Sequence, residues 1–339
     1  MMGAHYADVF DRMDGVAVTA CCDPTPWKLD AFAKDRGIPG AYVRFRDMVG
    51  SEALDGILNV TPDYLHAEVV RAAVDAGLPI LTEKPLVGSL QEAAALESAL
   101  SGRDLPVVVN FSKRHTAALA ALRSVIIGEK LGSLIRVETA YRQGWVFNHD
   151  WGDWRTVHAW TWRLDGRTAP LGVLGDLGSH LVDLIPYVTG RQVETVSGGR
   201  MAVVPKGIDR VDEHQLDSPD YAVGILGLSG GVPASLTVSR VDADAVDELT
   251  VRAWCSAGLA EVNLERDRRR ARVKDASGER MVEAEKPPSN YRKFVSILRG
   301  EPAEAPGLRE GLRAQRILDA VRRSADGGGL PVDVEEADP

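Results

Sequence analysis

The chain has 339 residues, 45% of them apolar and 26% charged, with a net charge of −9. This is the composition of a globular protein long enough for two domains with separate cores. The acidic balance argues against broad affinity for nucleic acid or anionic membrane, and no stretch approaches the ~20 apolar residues of a membrane span.

Taken in chain order, the first ~115 residues alternate short apolar runs with helical patterns, the rhythm of a parallel sheet. Val16–Cys22 reads as a buried strand, and a helix follows from Pro24-Thr25-Pro26 to Arg36, stopped by Gly37. Ile57–Val60 is the next strand, then a helix over 64–76 ended by Gly77 and a strand over Pro79–Thr82. Ser89 with Glu92 three residues on is a capping box opening another helix, and Val107–Phe111 is the last strand of this half. From residue 133 alternating β-branched runs appear at 134–141, 192–204, 219–228, 231–240, 247–254 and 258–264, a mainly antiparallel sheet interrupted by one helix around 179–189. Pro186 inside that helix removes one backbone donor and predicts a bend. Residues 289–325 return to helix, with Leu312, Ile317, Leu318 and Val321 forming an apolar face. The division is a nucleotide-binding domain over 1–115, a sheet domain over 116–325 and a tail over 326–339, with helices 289–325 able to pack back on the first domain. The arginines at 266, 268, 269, 270 and 272 read as a solvated hairpin among acidic neighbours.

Glu83-Lys84-Pro85 closes the strand Pro79–Thr82, so Lys84 stands where open α/β sheets bind ligands, at the carboxyl ends of parallel strands. Pro85 biases Lys84 toward an extended backbone. Upstream lie Thr61, Pro62 and His66; downstream lies Gly175-Asp176-Leu177-Gly178-Ser179-His180, with Asp183 three residues on. Asp23, at the tip of the strand Val16–Cys22 and twenty residues after Gly3, suits the ribose hydroxyls of a dinucleotide; capping the next helix is the alternative. A carboxylate there also repels a 2′-phosphate, favouring NAD over NADP. A helix through 176–183 places Asp176, His180 and Asp183 on one side, where a carboxylate could orient the imidazole. His180 has the intrinsic pKa of a base near neutrality, ~6.5, and Lys84 could stabilise an alkoxide or act as the base itself. Asp176 as a helix cap and His180 as a satisfied core histidine are the plainer readings. His66 could equally sit in the first turn of a helix packed on the sheet. His115 and His158 have no partner that the sequence places. No His, Cys, Asp or Glu set has metal-ligand spacing.

Together these motifs resemble the Gfo/Idh/MocA family of nicotinamide-dependent sugar oxidoreductases. The likeness runs from Gly3 and His5 through Asp23-Pro24, Thr61-Pro62, Glu83-Lys84-Pro85 and the Asp176–His180 motif to Gly311–Arg316. The resemblance implies a Rossmann domain followed by an open-faced sheet domain, with substrate between nicotinamide and sheet. It implies that Lys84, Asp176 and His180 are catalytic and that Thr61, Pro62, His66, Glu83 and Asn110 lie along the cofactor with Gly3 and Asp23. Tyr141–Trp145 and Trp162–Asp165 look like members acting on sugars or anhydrosugars.

Five of the seven tryptophans fall between 145 and 162. They could meet sugar faces or bridge domains or subunits; Trp162, Arg163 and Gln143 are the substrate candidates. The expected activity is oxidation of a secondary hydroxyl of a sugar, anhydrosugar or cyclitol, with NAD and with NADP as the alternative. A redox-neutral glycosidase or lyase using NAD transiently, and a non-catalytic sugar or dinucleotide sensor, are the competing readings. A homodimer or homotetramer through the sheet domain is expected, since one sheet face needs covering. Cys21, Cys22 and Cys255 cannot all pair, and with no signal-peptide pattern they suit reduced thiols in the cytoplasm. The chain opens at Gly3 without the first strand and glycines of a dinucleotide fold, so an upstream start, roughly ten residues earlier, is expected.

Overall fold

The computed structural model describes residues 2–51 and 53–334; Met1, the end of the expected tail and the side chain of His158 lie outside the described residues. The chain divides into two compact units. One runs to Asn110 and regains Ser289–Arg309; the other is Phe111–Pro288 with the residues from Glu310 onward.

The first unit follows the order α1 (Met2–Phe10), β1 (Ala20–Cys22), α2 (Pro26–Arg36), β2 (Gly40–Tyr42), α3 (Phe45–Ser51), β3 (Ile57–Asn59), α4 (His66–Asp75), β4 (Ile80–Thr82), α5 (Leu90–Leu100), β5 (Val107–Val109). Its strands are parallel and form two strips, β1–β2 and β3–β4–β5, with Ile57, Ile80 and Val107 in register across the second. The strand expected over Val16–Cys22 narrows to three residues. Val16 and Val18 instead pack, partly buried, on a cluster formed by Tyr6, Phe10, Leu81, Val108 and Tyr291, Phe294 and Val295 from the returning helix. The capping box is as written in the sequence: Ser89 accepts the Glu92 N–H at 3.2 Å and the Glu92 carboxylate accepts the Gly88 N–H at 2.8 Å. Gly37 ends α2 at φ +62°, a left-handed cap that L side chains rarely adopt.

The second unit contains α6 (Ala117–Ile127), β6 (Leu134–Arg142), α7 (Trp145–Asn148), α8 (Ser179–Thr189), β7 (Val193–Ala202), the short hairpin β8 (Arg210–Val211) and β9 (His214–Gln215), β10 (Tyr221–Leu228), β11 (Val232–Ser239), β12 (Glu248–Cys255), β13 (Gly258–Asn263), β14 (Arg270–Asp275) and β15 (Gly278–Glu283). After α9 (Asn290–Leu298) in the first unit, α10 (Leu308–Asp326) and β16 (Val332–Asp333) complete the chain's elements. Nine strands form one open sheet in the order β15-β14-β13-β12-β6-β11-β10-β7-β16, antiparallel except where β6 meets β11. Period-two alternation buries Ala222, Leu226 and Leu228 on one face of β10 and leaves Ile225 49% exposed on the other. The apolar face expected of the terminal helix is buried: Leu312, Ile317, Leu318 and Val321 are all covered. Helix α6 had little amphipathic signature to read, because nine of its eleven residues are apolar, seven of them buried.

Candidate functional site

The proposed nucleotide residues of the first unit gather at the carboxyl ends of β1, β3, β4 and β5, the edge where open α/β sheets take ligands. Asp23 follows β1. Its Oδ1 accepts the Thr25 N–H at 2.8 Å, a turn that leads into α2, whereas Oδ2 has no partner among the described residues. Thr61 follows β3 and is fixed by Asn59, whose Oδ1 accepts both the Thr61 N–H and hydroxyl, the latter at 2.7 Å. His66 is buried at the start of α4, with Nδ1 2.5 Å from the Pro85 carbonyl oxygen and Nε2 2.9 Å from that of Thr61. A neutral imidazole has one N–H and can donate to only one of them at a time. The ring sits between the Thr61-Pro62 loop and the segment after Lys84, within hydrogen-bond distance of both. Gly3 lies inside the first turn of α1, and a Cβ there would only touch Phe32 at 4.0 Å.

Glu83 is the centre of a polar network. Its Oε1 accepts the Tyr6 hydroxyl at 2.5 Å and the Asn110 amide at 2.8 Å, and its Oε2 accepts the Lys84 N–H. The Asn110 amide also reaches the Tyr6 and Tyr291 oxygens at 2.9 and 3.0 Å. Burial, and then the Glu83 charge, push the Tyr6 phenol well above its ordinary pKa. Tyr6 and Tyr291 were not expected from the sequence as site residues; Tyr6 read only as part of an apolar face. The network fixes the backbone on which Lys84, half-buried, is carried.

In the second unit a π-turn, Leu174–Gly178, precedes α8 and carries Asp176; such turns recur at functional sites. Its entry depends on Gly172, at φ +50°, where a Cβ would stand 2.2 Å from the Pro219 carbonyl oxygen. Asp176 caps no helix. Its Oδ2 accepts the Arg163 Nε–H at 3.3 Å, and the Arg163 guanidinium lies over the Trp162 ring at 4.4 Å and the Trp160 ring at 4.9 Å. His180 opens α8 and is 7% exposed; its ring lies 5.9 Å from that of Tyr141. The Tyr141 hydroxyl donates to Asp247 Oδ1 at 2.5 Å, Gln143 Nε2 donates to the same oxygen at 2.9 Å, and Lys113 Nζ lies 3.3 Å from Oδ2. Burial raises the Asp247 pKa, but Lys113 and these hydrogen bonds outweigh it and hold the carboxyl below its usual range. Gln143 is buried, and its Oε1 has no hydrogen-bond partner among the described residues.

Two expectations change. Asp183 does not serve the imidazole as its orienting carboxylate; Arg114 holds it through bonds of 2.8 and 2.6 Å, an ion pair joining α8 to the turn before α6. The tryptophans mostly build a local core. Trp145 and Trp154 are buried with Val146, Leu164, Val211 and Leu216, and Trp151 stacks on Trp145 at 5.4 Å. Lys113, Tyr141 and Asp247 were missed as site residues. Tyr141 had a signal, since it is two residues from Gln143 and so shares its side of an extended chain. Asp247, over a hundred residues from Gln143, had none.

Residues 1–111 match the family model of an oxidoreductase family with an NAD-binding Rossmann fold, and residues 119–261 match that of the GFO/IDH/MocA C-terminal domain. The chain belongs to the Gfo/Idh/MocA oxidoreductase family. A levoglucosan dehydrogenase of Pseudarthrobacter phenanthrenivorans is 27% identical over 158 residues, 47% of this chain and 39% of that protein. The stretches matched in the first three curated relatives of the family span 39, 53 and 46% of their lengths, about half. A myo-inositol dehydrogenase of Streptomyces leeuwenhoekii is 26% identical over 98% of this chain and 96% of its own. A solved structure of levoglucosan dehydrogenase in complex with NADH and levoglucosan superposes with a TM-score of 0.83 at 22% identity, covering 98% of this chain and 94% of that one, which shows the shared fold. The first unit is this family's NAD-binding Rossmann unit, and its residues fit the group. The Asp23 oxygen without an internal partner suits ribose hydroxyls, and Thr61, Pro62 and Asn110 line the same strand ends.

Proposed function

We propose that this chain is an NAD-dependent dehydrogenase, with NADP as the alternative cofactor, acting on a secondary hydroxyl of a sugar, anhydrosugar or cyclitol. The levoglucosan and inositol dehydrogenases among its relatives support that substrate class. The nicotinamide, when bound, supplies the hydride acceptor. Lys84 hydrogen-bonds the reacting oxygen and stabilises negative charge on it. His180 takes the hydroxyl proton, and Asp176 helps set the charge around it. Trp162, Arg163 and Gln143 bind the rest of the ring.

One observation carries the substrate reading. Around His180 lies a buried polar set in which the Gln143 amide oxygen has no hydrogen-bond partner among the described residues, the kind of unsatisfied acceptor that a substrate hydroxyl would satisfy. The test is turnover by purified protein with NAD or NADP against a panel of sugars, anhydrosugars and cyclitols. Steady accumulation of reduced cofactor is the expected result. Product formed without net reduction would make the enzyme redox-neutral, and no chemistry with any compound would leave a sensor.

The wider setting is part of the same proposal. The protein works as a homodimer or homotetramer through the open sheet face, which light scattering at micromolar concentration tests. It works in the cytoplasm: its three cysteines are free, and burial pushes the Cys22 thiol up to about 11. None of the described helices is long and apolar enough to cross a membrane.

A further inference from the structure

The second unit contains a cavity of about 640 Å³ whose lining is strongly cationic. Lys113, His115, Arg268, Arg269 and Lys286 face it, with Glu283 as its one carboxylate. Glu283 stands opposite Arg270 in the β14–β15 ladder, and the arginine's positive charge offsets part of its own. The arginine run read from the sequence as a solvated hairpin therefore has two parts. Arg270 pairs with Asp267 at 2.7 Å, and Arg272 with Glu261 and Glu279, each at 2.7 Å. Arg268 and Arg269 make no ion pair among the described residues, nor does Lys286. Their loop is nevertheless held in place: the Ala118 N–H donates to the Arg268 carbonyl at 3.2 Å, and Asp267 Oδ1 accepts the Arg269 N–H at 2.8 Å.

Unneutralised cations around a concave space, in a chain whose net charge is −9, mark a place for an anion. Lys113 connects that space to the residues around His180, because the same ammonium faces Asp247 and lies 4.8 Å from the centre of the Tyr141 ring. We propose that this cavity binds an anionic substituent of the sugar substrate, a phosphate monoester or a carboxylate, through Arg268, Arg269 and Lys286. The inference rests on the dehydrogenase reading and narrows it: the preferred substrate is a charged sugar rather than its neutral parent. Arginine suits either group, since its planar donors meet two oxygens at once.

The experiment uses the full chain, an R268A/R269A double variant and, as a control of equal chemistry outside the cavity, R252A, an exposed arginine of β12 paired with Glu261. Calorimetric titration with inorganic phosphate, D-glucose 6-phosphate, D-glucuronate and D-glucose measures binding directly. Initial rates with the same sugars and NAD measure kcat/KM. The expected result is that the wild type binds at least one of the anions, that the double variant loses about tenfold or more of that affinity, and that R252A does not. Raised salt should weaken the same binding. Phosphate against glucuronate tells which anion the cavity takes. Where turnover is measurable, kcat/KM should fall in the double variant for charged sugars and stay unchanged for neutral ones. No anion binding by the wild type, or binding equal in the double variant, overturns the proposal. Absence of turnover with every sugar defeats the dehydrogenase reading alone, since the titrations still decide what the cavity binds.

Discussion

Glu83 in the first unit and Asp220 in the second are both carboxylates held by several donors, and the donors differ in kind. Glu83 is half-buried and bonded by a tyrosine, an amide and a backbone N–H, all neutral. Asp220 is fully buried, and its carboxylate is held by Lys206, Arg240 and the Val204 N–H. Neutral partners fix the Glu83 side chain without supplying a counter-charge, and its charge acts on the Tyr6 and Tyr291 phenols. Two cationic partners outweigh the Asp220 charge and close the group off. Arg240 passes that rigidity outward, donating to the Arg163 carbonyl at 2.7 Å and so holding the residue that meets Asp176. One network fixes the strand end that carries Lys84, and the other anchors the segment that carries Arg163.

The sharpest way to break this comparison is to remove one member from each network. Asp220→Ala leaves two buried cations without their anion and should cost about 3–5 kcal/mol of stability. Tyr291→Phe removes one hydrogen-bond oxygen from a neutral set and should cost about 1 kcal/mol. Urea unfolding midpoints measure both, and a larger loss in Tyr291→Phe would reverse the assignment of roles.

Next in size are the chemical roles. Lys84→Ala and His180→Ala should each lower turnover ~10²-fold or more while folding and NAD affinity persist. Near-normal turnover in either variant removes that residue from the mechanism.

How much of this was legible in the sequence follows the same division. The strand-end positions of the first unit could be read, because Asp23, Thr61, Glu83, Lys84 and Asn110 each follow an apolar run, and the fold places such positions at one edge. The open sheet and its alternation could be read for the same kind of reason, local periodicity. The set around His180 could be read only on the His180 side. Asp183 had the right helical spacing, but a half-buried arginine four residues after Asn110 claimed its carboxylate, and no spacing rule reports which of two partners wins. Asp247 reaches Gln143 through the pairing of β12 with β6, a contact between strands far apart in sequence. The basic run divided into paired and unpaired arginines only once the turn at Asp267 and the register of β13 with β14 were known.

A smaller effect concerns pH. Asp165 is buried; burial raises its pKa, but hydrogen bonds from Arg167 and His214 outweigh this and lower it to about 2. A carboxyl whose folded pKa lies below its unfolded value of ~3.9 adds stability above that value, and loses it as the pH falls through the folded one. With allowance for the solvent around the exposed Arg167, the contribution is about 1–2 kcal/mol. It should be intact at pH 5 and fade toward pH 2. Asp165→Asn should flatten the stability profile over that window in unfolding measured at several pH values; an unchanged slope would assign the acid lability to other carboxyls.

The smallest expected effect falls on Asp23, and it separates holding from binding in the first unit. Asp23 Oδ1 is committed to the Thr25 N–H, while Oδ2 is available to a ligand. Asp23→Asn keeps an oxygen for the turn and removes the negative charge; Asp23→Ala removes both. If the carboxylate receives the ribose hydroxyls, Asp23→Asn should weaken NAD binding by up to about tenfold, because bonds to a charged acceptor are the stronger kind and water competes at this half-buried site. The same change removes the repulsion that a 2′-phosphate would meet, so discrimination against NADP should relax. If Asp23 only holds the turn into α2, Asp23→Asn should leave both affinities alone, and Asp23→Ala should lower thermal stability without altering cofactor preference. Titration of both variants with NAD and NADP, beside their melting curves, tells the two roles apart.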